Sequence, residues 1–201
     1  MPRTLRMSAS GFESWNRPAS ELYSSMFELI SEQEQFEFFQ SAYLHATGQR
    51  LRLVRKSERP DFICHRPDGS LVGIEFTLIT RTPGDCFWPK LLDGVEYMNG
   101  FDGVFAAGAA IMRKGEKRVE HDWQLPASSI LVLYSPDCPI DELEYHLDAE
   151  LQAEFEESGF TEIWIADHTQ VEAYGCVDLF CLAPKELWGY YAGSDIGKPY
   201  G

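Results

Sequence analysis

The chain lacks most of the short patterns that announce a chemistry. It contains no Gly-x-Gly-x-x-Gly and no Walker-type loop, and the glycines from Gly103 to Gly108 fit neither, so no dinucleotide or nucleoside-triphosphate cradle is expected. No Gly-x-Ser-x-Gly elbow is present, which removes the usual mark of an α/β-type serine hydrolase. The five cysteines are odd in number and form no Cys-x-x-Cys pair, which argues against a disulfide framework or a zinc site. His121-Asp122 and Glu144-Tyr145-His146 lack the spacing of metal ligands. No apolar run is long enough to span a bilayer, and Arg3 and Arg6 are not followed by the apolar stretch of a secretory signal. The expectation is a reduced, cytoplasmic protein. Basic residues are scarce as well. The 17 Lys and Arg stand against 32 Asp and Glu, for a net charge of -15. Such a balance opposes a chain-wide basic footprint for nucleic acid, but it leaves room for a local basic patch and for divalent cations.

What is present suits a globular fold. An apolar fraction of 44% with 13 Phe in 201 residues can build a real core. Residues 1–18 are polar and carry Pro2, Gly11 and Pro18. They read as an arm whose Phe12 and Trp15 dock onto a single α/β domain spanning 19–201. A helix is expected from Ala19 to about Ile30. Ser31 and Glu34 then form a capping box that opens a second helix, with Phe36, Phe39 and Tyr43 at helical spacing and a stop near Gly48. Leu51, Leu53 and Arg55 suggest a first strand. Helices are expected at Pro89–Met98 and within Ala106–His121. Ser129–Tyr134 is a nearly continuous apolar run, as in a central buried strand. Pro139 opens a long acidic helix, 140–158, with Leu143, Leu147, Leu151 and Phe155 on its inner face. Phe160–Ala166 and Val177–Leu182 complete the strands, the latter expected as the last, at an edge. Trp188, Tyr190 and Tyr191 suit either base stacking or core and subunit packing.

The most informative stretch runs from Arg59-Pro60-Asp61-Phe62 to Gly73-Ile74-Glu75-Phe76-Thr77. Arg66-Pro67-Asp68-Gly69 between its halves suits a type I turn followed by a left-handed residue, the three-residue hairpin loop. Arg66 then pairs with Ser70. Counting back, Asp61 pairs with Glu75 and Arg59 with Thr77. Val72, Ile74, Phe76 and Leu78 share the core face, which turns Gly73, Glu75 and Thr77 the other way. Gly73 leaves room there for a ligand. Like charges directly opposite each other destabilise a strand pair, so a cation or a proton is expected between the two acids. The alternative is a solvated strand face with ordinary surface acids.

This order of elements, with Pro60-Asp61 and, after thirteen intervening positions, Glu75-Phe76-Thr77, resembles the PD-(D/E)xK nuclease superfamily. The resemblance covers roughly residues 31–135. It implies a restriction-endonuclease-like three-layer sandwich, a central mixed β-sheet flanked by helices. It also implies a divalent metal, Mg2+ or Mn2+, held by Asp61 and Glu75, and phosphodiester hydrolysis in DNA or RNA. Thr77 falls where the motif carries its lysine. Lys114, in a basic stretch resembling the helix before the fourth strand, is the first substitute for that charge, with Arg59 and Lys90 behind it. A helix-borne acid is often part of such a site. Glu34, Glu32 and Glu37 are the candidates, although the capping box competes for Glu34. In such a site the pair of carboxylates would supply oxygen ligands and the metal would make its water more acidic. Two alternatives stay open: a decayed module on the same fold that binds nucleic acid or a protein partner, a second copy included, and a structural or inhibitory protein acting through the acidic helix.

Overall fold

The computed structural model describes residues 31–79, 98–120, 126–135, 138–147, 155–169, 171 and 175–193. The arm at 1–18, the helix expected over 19–30, nearly all of the one expected at 89–98, and Lys90 lie outside the described residues. The described chain is an α/β protein with a seven-stranded mixed sheet whose strands lie in sequence order.

Helix α1, Glu32–Thr47, begins at the expected capping box: Glu34 Oε2 accepts from the Ser31 N–H at 2.7 Å, and the Glu34 N–H donates to the Ser31 hydroxyl at 3.3 Å. It ends at Gly48 with φ 70°. Strand β1, Arg52–Lys56, is a fully exposed edge. A register shift at Val54 and the cations Arg52, Arg55 and Lys56 blunt this edge against pairing with another chain.

Strands β2, Phe62–His65, and β3, Leu71–Leu78, form the hairpin in the expected register. Phe62 lies opposite Ile74, and Cys64 opposite Val72. Arg66 N–H donates to Ser70 C=O at 2.9 Å, and Gly69 N–H to Arg66 C=O at 3.0 Å, with Gly69 at φ 86°. Only glycine takes that left-handed turn position at no steric cost. The expected pairing of Arg59 with Thr77 is not formed. The ladder stops at Phe62, and residues 57–61 turn away, closed by the Ser57 N–H on the Asp61 C=O at 2.9 Å. Pro60 has no N–H with which to extend the ladder. Arg59 is exposed on that turn.

The parallel centre of the sheet follows. Helix α2, Gly100–Glu120, leads to β4, Ser128–Ser135, which pairs parallel with β3 and with β5, Glu162–Asp167. Both faces of these strands are covered. Val72, Ile74, Phe76, Ile130, Val132 and Trp164 pack under α1 with Phe36 and Phe39. Leu131, Leu133, Ile163 and Ile165 pack under α2 with Ala107, Ala110 and Ile111. Strands buried on both sides read as continuous apolar runs for this reason.

Two expectations change here. The acidic helix is not continuous. Helix α3 spans Ile140–Glu144, after which the N–H groups of His146 and Leu147 reach only three residues back, to Leu143 and Glu144. That tightening closes the helix. Its position is set by α2, since a Cβ on Gly100 would stand 1.9 Å from the Glu142 carbonyl oxygen. Residues 155–157 are helical again, so no single acidic face runs through 140–158. Nor is the strand near 177–182 last or at an edge. As β6, Asp178–Ala183, it is covered by a further strand, β7, Gly189–Tyr191. Two of the aromatic residues there pack inward: Trp188 lies edge-on to Phe180 with ring centres 5.4 Å apart, and Tyr191 lies 5.5 Å from Trp164, while Tyr190 is exposed and its hydroxyl donates to Asp178.

The hairpin turn is tied across the sheet by one buried polar network. Arg66 Nη2 meets Glu162 Oε1 at 2.5 Å, and Arg66 Nη1 donates to the Tyr43 hydroxyl at 2.9 Å. Trp164 Nε1 donates to the other Glu162 oxygen at 2.9 Å. Burial, and then the Glu162 charge, push the Tyr43 hydroxyl up to about 12. Turn, α1 and β5 are thereby locked together. Arg66→Ala is expected to destabilise the fold by about 3 kcal/mol, because the Glu162 charge is left buried and unpaired. Arg66→Met with Glu162→Leu should recover most of that loss. Urea unfolding midpoints read both effects, and an Arg66→Ala midpoint equal to the wild type would contradict them.

Candidate metal centre

Strand β3 carries the site because it is an interior strand with helices on both sides. Its even positions feed the cluster under α1, so Glu75 points under α2 and is only 4% exposed. The solvated-face alternative is therefore set aside for Glu75. Thr77 shares that face and is half-buried, beside Leu133 of β4.

Helix α2 brings the counter-charge. Lys114 follows Ala107, Ala110 and Ile111 at seven, four and three residues, all of them buried. It therefore stands in the inward stripe of the helix, where an apolar residue is the rule. Its ammonium Nζ meets Glu75 Oε1 in a short ion pair. The other Glu75 oxygen, Oε2, is buried and has no hydrogen-bond partner. A buried carboxylate oxygen without a donor is costly, and an ion is one of its ordinary explanations.

The expected backbone pairing of Asp61 with Glu75 is not part of the ladder, which ends with Phe62 opposite Ile74; Asp61 immediately precedes that last pair and meets β3 through its side chain. Its Oδ2 accepts from the Phe76 N–H at 2.7 Å. Pro60, in line with Phe76, interrupts the ladder, and the neighbouring aspartate occupies the freed donor. This is a physical reason for the Pro-Asp pair at the mouth of the hairpin. The Asp61 carboxyl is pushed up to about 6, first by burial and then by the Glu75 charge beside it, against the Phe76 hydrogen bond and the Lys114 charge. Glu32, at the start of α1, adds a smaller push in the same direction.

The structure thus brings Asp61, Glu75 and Lys114 together, with Thr77 next along the same face. It does not bring Arg59 into the strand pair. Glu34 is committed to Ser31, and Glu37 accepts from Gln33 at 2.9 Å. Among the helix acids it is Glu32 whose charge reaches Asp61. The signal for Lys114 lies in the sequence as a lysine on the apolar stripe of a helix. Nothing local marks Glu32, whose relation to Asp61 depends on how α1 crosses the sheet.

Two facing carboxylates and an orphaned oxygen fit a hard cation such as Mg2+, which binds through one or two carboxylates and keeps several waters. Among the described residues no group of three His, Cys, Asp or Glu stands together as a closed cage. The chain matches no protein-family model, no curated protein and no solved structure.

A pH experiment reads the strain of this pair. The folded Asp61 binds its proton more tightly than the unfolded chain does, so stability declines as pH rises from about 4 to about 6 and stays lower above that. Asp61→Asn removes the titrating charge. In the presence of chelator it should be more stable than wild type by on the order of 2 kcal/mol near pH 8, with the gain vanishing near pH 4. Denaturant titration at both pH values checks this, and a gain independent of pH would count against the account.

Proposed function

We propose that the protein is a divalent-metal-dependent nuclease of the PD-(D/E)xK type, hydrolysing phosphodiester bonds on a restriction-endonuclease-like core. The observation that carries the reading is the half-buried Asp61 beside the buried Glu75, with one Glu75 oxygen unpartnered and Lys114 reaching in from α2. The order of strands and the layering of helices on both sides of a mixed sheet support the fold part of this reading.

Asp61 and Glu75 would hold Mg2+ or Mn2+. When bound, such an ion makes its water more acidic and polarises a phosphate oxygen. The chain's own residues set the stage for that chemistry. Phe76 N–H fixes the Asp61 carboxylate, and Lys114 fixes Glu75 by one oxygen and leaves the other facing the site. Lys114 also supplies, from a helix, the positive charge that Thr77 does not. Near a reacting phosphate that charge would offset the negative charge that grows in the transition state. The Thr77 hydroxyl is placed to donate or accept a hydrogen bond on the same face.

One observation favours a second reading, a binding module with a decayed site: the described residues contribute two acids and no third ligand. A single set of measurements separates the two. With Mg2+ or Mn2+, plasmid and single-stranded DNA and RNA are expected to be cut by the wild type. Asp61→Ala and Glu75→Ala should lower cleavage at least a hundredfold, and Lys114→Met should do so while weakening metal binding less than either. Calorimetric titration with Mn2+ should show binding lost in both acid variants. Cleavage that persists in Asp61→Ala and Glu75→Ala would overturn the nuclease reading, whereas metal-independent DNA binding without cleavage would establish the second.

A further inference from the structure

Helix α2 is apolar on two sides. Its inner side covers the sheet and carries Lys114. Its outer side faces solvent, where polar residues are the rule, yet Phe101, Phe105, Met112 and Val119 stand there, 56, 65, 62 and 76% exposed. The Phe101 and Phe105 rings lie 4.8 Å apart, with His146 beside Phe101 and the exposed Tyr145 beside His146. Single exposed apolar residues need no explanation, but a row of them along one helix does.

The spacing of the row supplies one. Phe105, Met112 and Val119 recur every seven residues, and Phe101, Gly108 and Gly115 each stand four residues before one of them. This alternation of four and three forms the seam between paired helices. Laid antiparallel on a copy of itself, centred on Ala110, the seam pairs Phe105 with Gly115, Met112 with Gly108 and Val119 with Phe101, each pair occurring twice. Two of the three pairs set a bulky side chain against a glycine. There is room for both. A Cβ on Gly108 would meet nothing within 4 Å, and Gly115 lines an open groove of about 790 Å3 together with Met112, Val119 and Ser158. A parallel copy would instead set Phe105 on Phe105 and leave gaps where glycine meets glycine.

The area also suffices. At about 200 Å2 for a fully exposed large side chain, the four residues offer roughly 500 Å2 of apolar surface per copy. Flanking residues such as Ala109 and Glu116, both exposed, bring the covered area toward the roughly 800 Å2 per partner of a stable interface.

We propose that α2 pairs antiparallel with α2 of a second copy through this seam, making the protein a two-fold dimer. The seam selects a second copy over a different partner because bulk and hollow both lie on one helix, at positions that a single two-fold axis brings together. The pairing requires neither a metal nor the proposed hydrolysis. It contains one unfavourable contact, since the same register brings Asp102 near the partner's Glu116, at the flank of the seam.

Sedimentation equilibrium between about 1 and about 200 µM is expected to show a reversible monomer–dimer equilibrium. Phe105→Asp should weaken the dimer at least tenfold and leave the melting temperature of the dilute monomer unchanged, because the residue is exposed. Gly108→Phe adds apolar surface and fits the monomer, yet it fills the hollow that the partner's Met112 needs, so it too should weaken the dimer at least tenfold. Glu116→Lys should tighten the dimer through Asp102, with the gain fading at high salt. A monomer throughout the concentration range would overturn the proposal, and a lowered melting temperature in Phe105→Asp would then assign the row to a segment of the same chain. Stronger association in Gly108→Phe would also overturn it, as the mark of a merely adhesive patch. Weaker association in Glu116→Lys would overturn the antiparallel register.

Discussion

A carboxylate on an interior strand, with a helix over it, is the constraint around which the rest of this structure is arranged. Glu75 cannot reach solvent, because β3 is flanked by β2 and β4 and covered by α2. Its charge must be met inside. Helix α2 does so with Lys114, placed on a stripe that otherwise consists of glycine, alanine, valine and isoleucine. Small neighbours such as Ala107 and Ala110 keep the helix close to the sheet, and a lysine of ordinary length then reaches Glu75. Replacing such a pair by apolar groups of the same size often leaves a protein as stable or more so. Stability alone therefore does not explain why the acid and the lysine are both there.

The second acid depends on the first through the hairpin. Pro67, Asp68 and Gly69 set the loop, the loop sets the register, and the register ends with Phe62 opposite Ile74, so that the next residues beyond that pair, Asp61 and Glu75, come close together. On the far side, Arg66 anchors the same turn to Glu162 and Tyr43. One end of the hairpin is therefore held by a fully satisfied polar network, and the other ends in an incompletely satisfied one. Glu162 has donors on both oxygens, whereas Glu75 has a donor on one. The contrast separates a carboxylate whose two oxygens both have donors from one with a buried oxygen left over.

The register was legible in the sequence because turn chemistry is local. So were α1, with its capping box, and the buried runs of β4 and β5. Three features were not, each for a physical reason. Gly73, Glu75 and Thr77 alternate with apolar residues just as a solvated face would, and only the packing of α2 shows that the face is covered. Counting residues carries the strand pairing through Arg59 because it takes no account of the missing N–H of Pro60. The spacing Leu143, Leu147, Leu151 and Phe155 suggested one long helix, but the close contact of α3 with Gly100 places its first turn, and short-range hydrogen bonds close it. For the site, the acids were visible as a motif. The counter-charge on Lys114 needed the helix stripe as well.

The position of the cation has a consequence for how the site responds to a ligand. A lysine two residues beyond Glu75 would move with β3. Lys114 instead belongs to a helix, and its distance to the acid pair depends on how α2 sits on the sheet. The acid pair is strained without a partner, since Asp61 titrates near 6 beside the buried Glu75. A cation bound between the two carboxylates would relieve that strain and favour the folded state by its own binding free energy. It would also compete with Lys114 for the charge of Glu75, freeing the ammonium to turn toward a phosphate. The same lysine would then serve two states in turn: neutralising Glu75 when no ion is bound, and facing the substrate when one is.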